Sequence, residues 1–175
     1  MRPVEASIVI SAPRGEVFDF VADIAGRVAW TDHFLKDFRL TRVNPVGVGA
    51  GAAFLIDAPL FRQRAELQVV TLERPRRIVE RSRIGRLGRT TGWNEWEFAD
   101  DYGSTEVRVS VWTEPGTRWD AFRESLGARG WLKRQVRGGL RRLRQVFEER
   151  PERPLARATI AGYEPLKAAR FGYHA

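Results

Sequence analysis

Along the first third of the chain the pattern of apolar and polar positions changes period twice. Val4, Ala6, Ile8 and Ile10 alternate with Glu5, Ser7 and Val9, which predicts a half-buried strand. Ser11-Ala12-Pro13 closes it and supplies a polar cap region with proline near a first helical turn. Val17, Phe18, Val21 and Ile24 then recur at helical spacing, and a second short helix is expected to end at Trp30. From there the period returns to two. Residues 38–43 read as a strand that stops at the turn signal Asn44-Pro45, and Gly47, Gly49 and Gly51 read as a flexible hairpin. Strands are predicted over residues 53–57, 61–73, 77–84, 90–98 and 105–113, making about seven in all. Short strands joined by short turns mean an antiparallel sheet.

After Thr117, the expected cap, Trp119, Phe122 and Leu126 step at three and four residues. Gly127-Ala128-Arg129-Gly130 then interrupts. Each glycine costs about 1 kcal/mol of helix propensity relative to alanine, so a break is expected here. Beyond it Leu132, Val136, Leu140, Leu143 and Phe147 form an apolar stripe that faces the sheet, and Gly138-Gly139 either lets the helix approach closely or leaves space. The layout is α+β, with the last helix lying across a curved antiparallel sheet. From residue 150 the chain turns to Pro151, Pro154 and Pro165 among small and basic residues. The expected division is a domain over 1–149 and an extension over 150–175. Because Ile160, Tyr163, Leu166, Phe171 and Tyr173 are too apolar for a disordered tail, the extension should dock on its own domain or on a partner subunit, forming a homodimer in the second case.

Composition narrows the chemistry. A chain of 175 residues fits a single domain. With no cysteine and only His33 and His174 as histidines, neither a disulfide framework nor a histidine or cysteine metal site is expected, and no cofactor is implied. The net charge of +8 raises the question of nucleic acid, yet the arginines are spread over every element. The exception is Lys133, Arg134, Arg137, Arg141, Arg142 and Arg144 on the last helix, where a solvated face outweighs a polyanion site. No apolar run approaches a membrane span and no signal-peptide core opens the chain, so a cytoplasmic protein is expected.

The run from Ile10 through Ala12-Pro13, Val17-Phe18 and Val21 to Asp23, followed by Trp30, resembles the opening of the START-like superfamily. That superfamily includes polyketide cyclases and dehydrases, ligand carriers and the birch pollen allergen type. Residues 72–78 and the stretch from Trp96-Glu97-Phe98 to Gly103-Ser104-Thr105 resemble its later turns. The resemblance covers roughly residues 3–149. It implies a helix-grip fold with two short helices after the first strand and a cavity between sheet and long helix. It also places Trp30, His33 and Phe34 beside the cavity mouth. Cyclase members of the superfamily fold a reactive chain inside the cavity, with arginine, tyrosine or acidic groups assisting proton transfer. Here the three tyrosines, Tyr102, Tyr163 and Tyr173, fall on no interior strand position, which weakens the cyclase reading.

Alternation supplies the remaining site candidates. Asn94, Trp96 and Phe98 share one strand face, expected to be interior, and Val107, Val109 and Val111 face inward while Trp112 points away. Phe54 and Phe61 come from the middle strands, Leu132 and Val136 from the helix stripe. Glu80 and Ser82 alternate with Arg81, and whichever set is interior contacts the ligand. His33 and Glu80 are the candidate proton-transfer groups, His33 being equally readable as a surface histidine beside Asp32 and Lys36. The aromatics are equally readable as core filling. No G-x-S-x-G elbow is present, and the glycine series lacks the lysine of a phosphate loop. The leading function is binding of a small hydrophobic or aromatic metabolite, such as a lipid, quinone or polyketide-like molecule. The alternatives are a metal-free cyclase or dehydrase using the same cavity, and a basic module for an acidic partner or nucleic acid.

Overall fold

The computed structural model describes residues 1–59, 62–125, 127–149 and 154–162. The alternating stretches become seven strands: β1 (Val4–Ile10), β2 (Leu35–Leu40), β3 (Gly51–Asp57), β4 (Arg62–Glu73), β5 (Arg77–Ile84), β6 (Thr90–Asp101) and β7 (Ser104–Glu114). They form one curved antiparallel sheet in the order β1-β7-β6-β5-β4-β3-β2. Consecutive strands therefore pair from β2 to β7, and only β1 crosses over, to lie beside β7.

Between β1 and β2 the chain forms α1 (Arg14–Ala22), a 3-10 turn (Ile24–Arg27) and α2 (Val28–Thr31). Pro13 sits just before α1, and its carbonyl accepts from Glu16 and Val17. The stripe Val17, Phe18 and Val21 is buried, with Phe18 edge-on to Phe98 at 5.2 Å. Asp23 caps the 3-10 turn by accepting from the Ala25 amide at 3.1 Å.

The expected break in the last helix is real. α3 (Arg118–Ser125) and α4 (Ala128–Glu148) part at Gly127, whose φ of 97° is a left-handed conformation that glycine adopts without strain. Thr117 caps α3 as expected, accepting from the Asp120 amide at 3.1 Å. α3 keeps Trp119 and Phe122 exposed and stacked on each other, whereas α4 buries Leu140 and Leu143 against the sheet.

One element corrects the sequence reading. The strand expected at 38–43 starts at Leu35 and ends at Leu40. A register shift lies between Lys36 and Arg39, where Asp37 has φ of 50°, so alternation cannot be read through it. Residues 154–162 of the extension make contacts with the domain that precedes them. The Ala158 amide donates to the Ala25 carbonyl at 2.8 Å, and the Thr159 carbonyl accepts from Leu40 on the outer strand at 2.9 Å. Arg157 pairs with Asp23 at 2.7 Å and Ala158 is buried. Tyr163, Leu166, Phe171 and Tyr173 lie outside the described residues. No helix among the described residues is long and apolar enough to cross a membrane.

Candidate functional site: a cavity sealed by a buried ion pair

At the α1 end, sheet and helices meet in solid packing around Phe18, Phe98 and Leu143. Toward the start of α4 they part and enclose a cavity of about 630 Å³. Small residues border this space, Ala65 on β4, Gly92 on β6, Gly130 and Gly139 on α4; a Cβ at Gly130 would meet nothing within 4 Å, whereas at Gly92 it would meet Ile84 and at Gly139 the Trp30 ring. Its outer end is bordered by Met1, Pro59, Asp120 and Gly127, and its inner end by the buried side chains of Arg27, Trp30, Trp96 and Val109.

Arg27 and Glu80 govern the inner end. Arg27 lies at the end of the 3-10 turn and Glu80 on β5, and they are 3% and 0% exposed. Two parallel hydrogen bonds join them, Nη1 to Oε2 at 2.8 Å and Nη2 to Oε1 at 2.6 Å. Nη2 also donates to the Val21 carbonyl at 3.1 Å. Asn94, directly opposite Glu80 in the β5–β6 register, donates its amide to Oε2 at 3.0 Å. Both carboxylate oxygens are thus occupied. The guanidinium carbon lies 5.5 Å from the ring centres of both Trp30 and Trp96, so the cation is held by two π faces as well as by its counter-charge. Those indoles meet edge-to-face at 5.7 Å.

Not every polar group here is satisfied. Arg27 Nε and the indole nitrogens of Trp30, Trp93 and Trp96 are buried without a hydrogen-bond partner, as is the Thr113 hydroxyl. All five residues border the cavity. A buried donor left unpaired costs about 1–3 kcal/mol, so such a concentration in one place asks for an explanation.

His33 lies to one side. Its Nε2 donates to the Gln135 carbonyl of α4 at 3.2 Å, its Nδ1 is buried without a partner, and its ring packs against Phe34 at 4.8 Å. Burial pushes the imidazole below its ordinary value, partly offset by the bond to Gln135. Nearby, Arg142 of α4 pairs with Asp32.

The sequence-derived candidates sort as follows. Trp30, Phe34, Phe54, Asn94 and Trp96 border the cavity, and so do Ser82, Val109, Leu132 and Val136. On β5 the even positions turn inward: Ile78, Glu80 and Ser82 are buried while Arg81 and Arg83 are exposed. Glu80 lies behind the wall and His33 beside it, so neither borders the space. Phe98 belongs to the solid core against Phe18. Phe61 lies outside the described residues. Trp112, read as facing away, stacks its ring on that of its register partner Trp93 at 6.2 Å, and both residues are among those that touch the cavity. The contiguous residues 92–94 and 111–113 all touch the space, which requires the main chain of both strands to form part of the wall; Gly92, lacking a side chain, bares it. Arg27 was missed altogether. Its signal was that it is the sole charge between Asp23 and Asp32, in an otherwise apolar run.

The family model for polyketide cyclase / dehydrase and lipid transport proteins matches residues 1–148. No curated protein matches the sequence significantly. Among solved structures, TTHA0849 from Thermus thermophilus is 14% identical with a TM-score of 0.67, over 86% of this chain and 99% of that one. DynU16, from the dynemicin biosynthetic locus, is 17% identical with a TM-score of 0.58, over 85% of this chain and 48% of its own. Ara h 8.0201 is 9% identical with a TM-score of 0.59, over 84% of this chain and 97% of that one. At these identities the likeness concerns the fold alone.

Proposed function

Because the chain belongs to the polyketide cyclase / dehydrase and lipid transport family, and because its cavity is open and mostly apolar, we propose that it binds a small hydrophobic molecule there, an aromatic or polyketide-like metabolite. The observation that carries this reading is the 630 Å³ space itself, walled by the rings of Trp30, Phe34, Phe54, Trp96 and Trp131. That volume lies within the range of ordinary small-molecule sites. Affinity comes from burying apolar ligand surface, at roughly 25 cal/mol for each Å².

Binding fits the geometry better than proton-transfer catalysis does. His33 faces the α4 backbone, and Glu80 is enclosed by Arg27 and Asn94, so neither group meets a molecule in the cavity directly. Extraction and mass spectrometry of the purified protein test the proposal, set beside Leu132→Trp, which places an indole into the space. A small apolar molecule released by the wild type and absent from the variant is expected. A wild type that neither carries such a molecule nor takes one up would overturn it.

A further inference from the structure

The unpaired nitrogens of Arg27, Trp30 and Trp96 are sealed inside the wall, so a guest in the cavity is read by polar groups that keep open surface. Asn94 is one of them. On β6 the inner face runs through Thr90, Gly92, Asn94, Trp96 and Phe98, and of these five only Asn94 is not buried. The surface it keeps opens on the cavity that it borders. Its orientation is set from behind. Glu80 Oε2 accepts from Arg27 at 2.8 Å and, as a carboxylate oxygen, can only accept, so Asn94 turns its NH2 end to it at 3.0 Å. The other end of the amide, Oδ1, has no partner among the described residues and is not one of the buried unpaired atoms. An acceptor is thus left to the open space. Ser82 adds a hydroxyl. It lies on the inner face of β5 opposite Gly92, two residues before Asn94, which makes Ser82 and Asn94 diagonal neighbours across the β5–β6 pair. Its Oγ likewise has no partner among the described residues and is not one of the buried unpaired atoms, and the residue borders the cavity.

We propose that Asn94 and Ser82 select a guest carrying a neutral hydroxyl, a phenol or an alcohol on an apolar frame. A hydroxyl gives its proton to Asn94 Oδ1 and can accept from Ser82 Oγ, so one group answers both. An ether or ketone oxygen takes only the Ser82 proton. It covers Asn94 Oδ1 without offering a donor, and an acceptor taken from water without a partner is costly. The Arg27–Glu80 pair acts on specificity through this geometry: it fixes which end of the Asn94 amide faces the space, and so makes Asn94 an acceptor toward the guest.

This inference rests on the cavity being a ligand site, and calorimetric titration with 2-naphthol, 2-methoxynaphthalene and naphthalene separates the two. The three probes share one ring frame, and the methoxy group keeps the oxygen while losing the proton. 2-Naphthol is expected to bind the wild type about tenfold more tightly than 2-methoxynaphthalene, the worth of a hydrogen bond to an otherwise unpaired acceptor. Asn94→Leu keeps the bulk and removes the acceptor, and should narrow that ratio several-fold while the thermal midpoint shows the fold intact. Ser82→Ala removes the second contact and should lower the 2-naphthol-to-naphthalene ratio. Where Asn94→Leu does not fold, the wild-type ratio and Ser82→Ala decide. Equal binding of 2-naphthol and 2-methoxynaphthalene by the wild type, a full ratio kept by folded Asn94→Leu, or an unchanged ratio in Ser82→Ala would overturn the inference and leave the cavity reading standing. Failure of all three probes to bind would remove both.

Discussion

Arg27 and Glu80 meet across 53 residues of chain, and each is buried because the other is there. Glu80→Ala leaves an uncompensated guanidinium between two indoles, and should lower stability by about 3–5 kcal/mol in urea unfolding. Replacing both, as Arg27→Met with Glu80→Leu, should recover most of that loss, because an apolar pair of similar volume removes the desolvation penalty as well as the attraction. His33 gives a second single-residue prediction. Its folded value is depressed by burial, so above the ordinary imidazole value of 6.5 it is neutral in both states and contributes no pH dependence. As pH falls below 6.5 the unfolded chain takes up the proton first, and stability declines until the native imidazole also titrates. Urea midpoints at neutral and mildly acid pH should diverge in the wild type and diverge less in His33→Gln. At this scale the sequence was partly legible. Alternation put Asn94 and Trp96 on the inner face and left open whether Glu80 joined them, and it carries no information about which distant arginine will reach a carboxylate. Arg27 drew no reading because its short turn offers too few residues for a period.

At the scale of elements, α4 shows how one residue type serves opposite ends. A Cβ at Gly130 would meet nothing within 4 Å, whereas one at Gly138 would sit 3.2 Å from His33 Nε2. Gly130→Ala should therefore stabilise the protein by about 0.5–1 kcal/mol through helix propensity alone. Gly138→Ala should return less of that gain, since the His33 ring has to yield, and thermal midpoints of the two variants measure the difference. The helix break, the α1 stripe and most strands were legible because their signals are local. β2 was misplaced because its irregularity at Asp37 shifts the parity on which strand reading depends. A cavity between sheet and helix was expected from the resemblance, but not the residues around it: Ala65, Gly92 and Gly130 are unremarkable apart, and only the fold brings them around one void.

For the whole molecule, the extension completes the sheet's outer edge. Leu40 on β2 has its amide satisfied by Thr159, and Ala158 is buried against the 3-10 turn. A chain ending at residue 149 loses two backbone hydrogen bonds and the Arg157–Asp23 pair and bares that edge. It should be less stable by about 1–3 kcal/mol in urea unfolding, and more prone to self-association in size-exclusion chromatography. The net charge of +8 belongs to this scale too, and pairs such as Arg142–Asp32 and Arg144–Glu148 cancel part of the basic face of α4, adding nothing to that net charge.

The near-parallel indoles of Trp93 and Trp112 carry one more consequence. Their planes differ by 16°, so their electronic transitions couple in a geometry fixed by the β6–β7 register. Any change in the spacing or tilt of β6 against β7 alters that coupling. The near-ultraviolet circular dichroism of the unmodified protein is thereby an optical gauge of how these two strands are held.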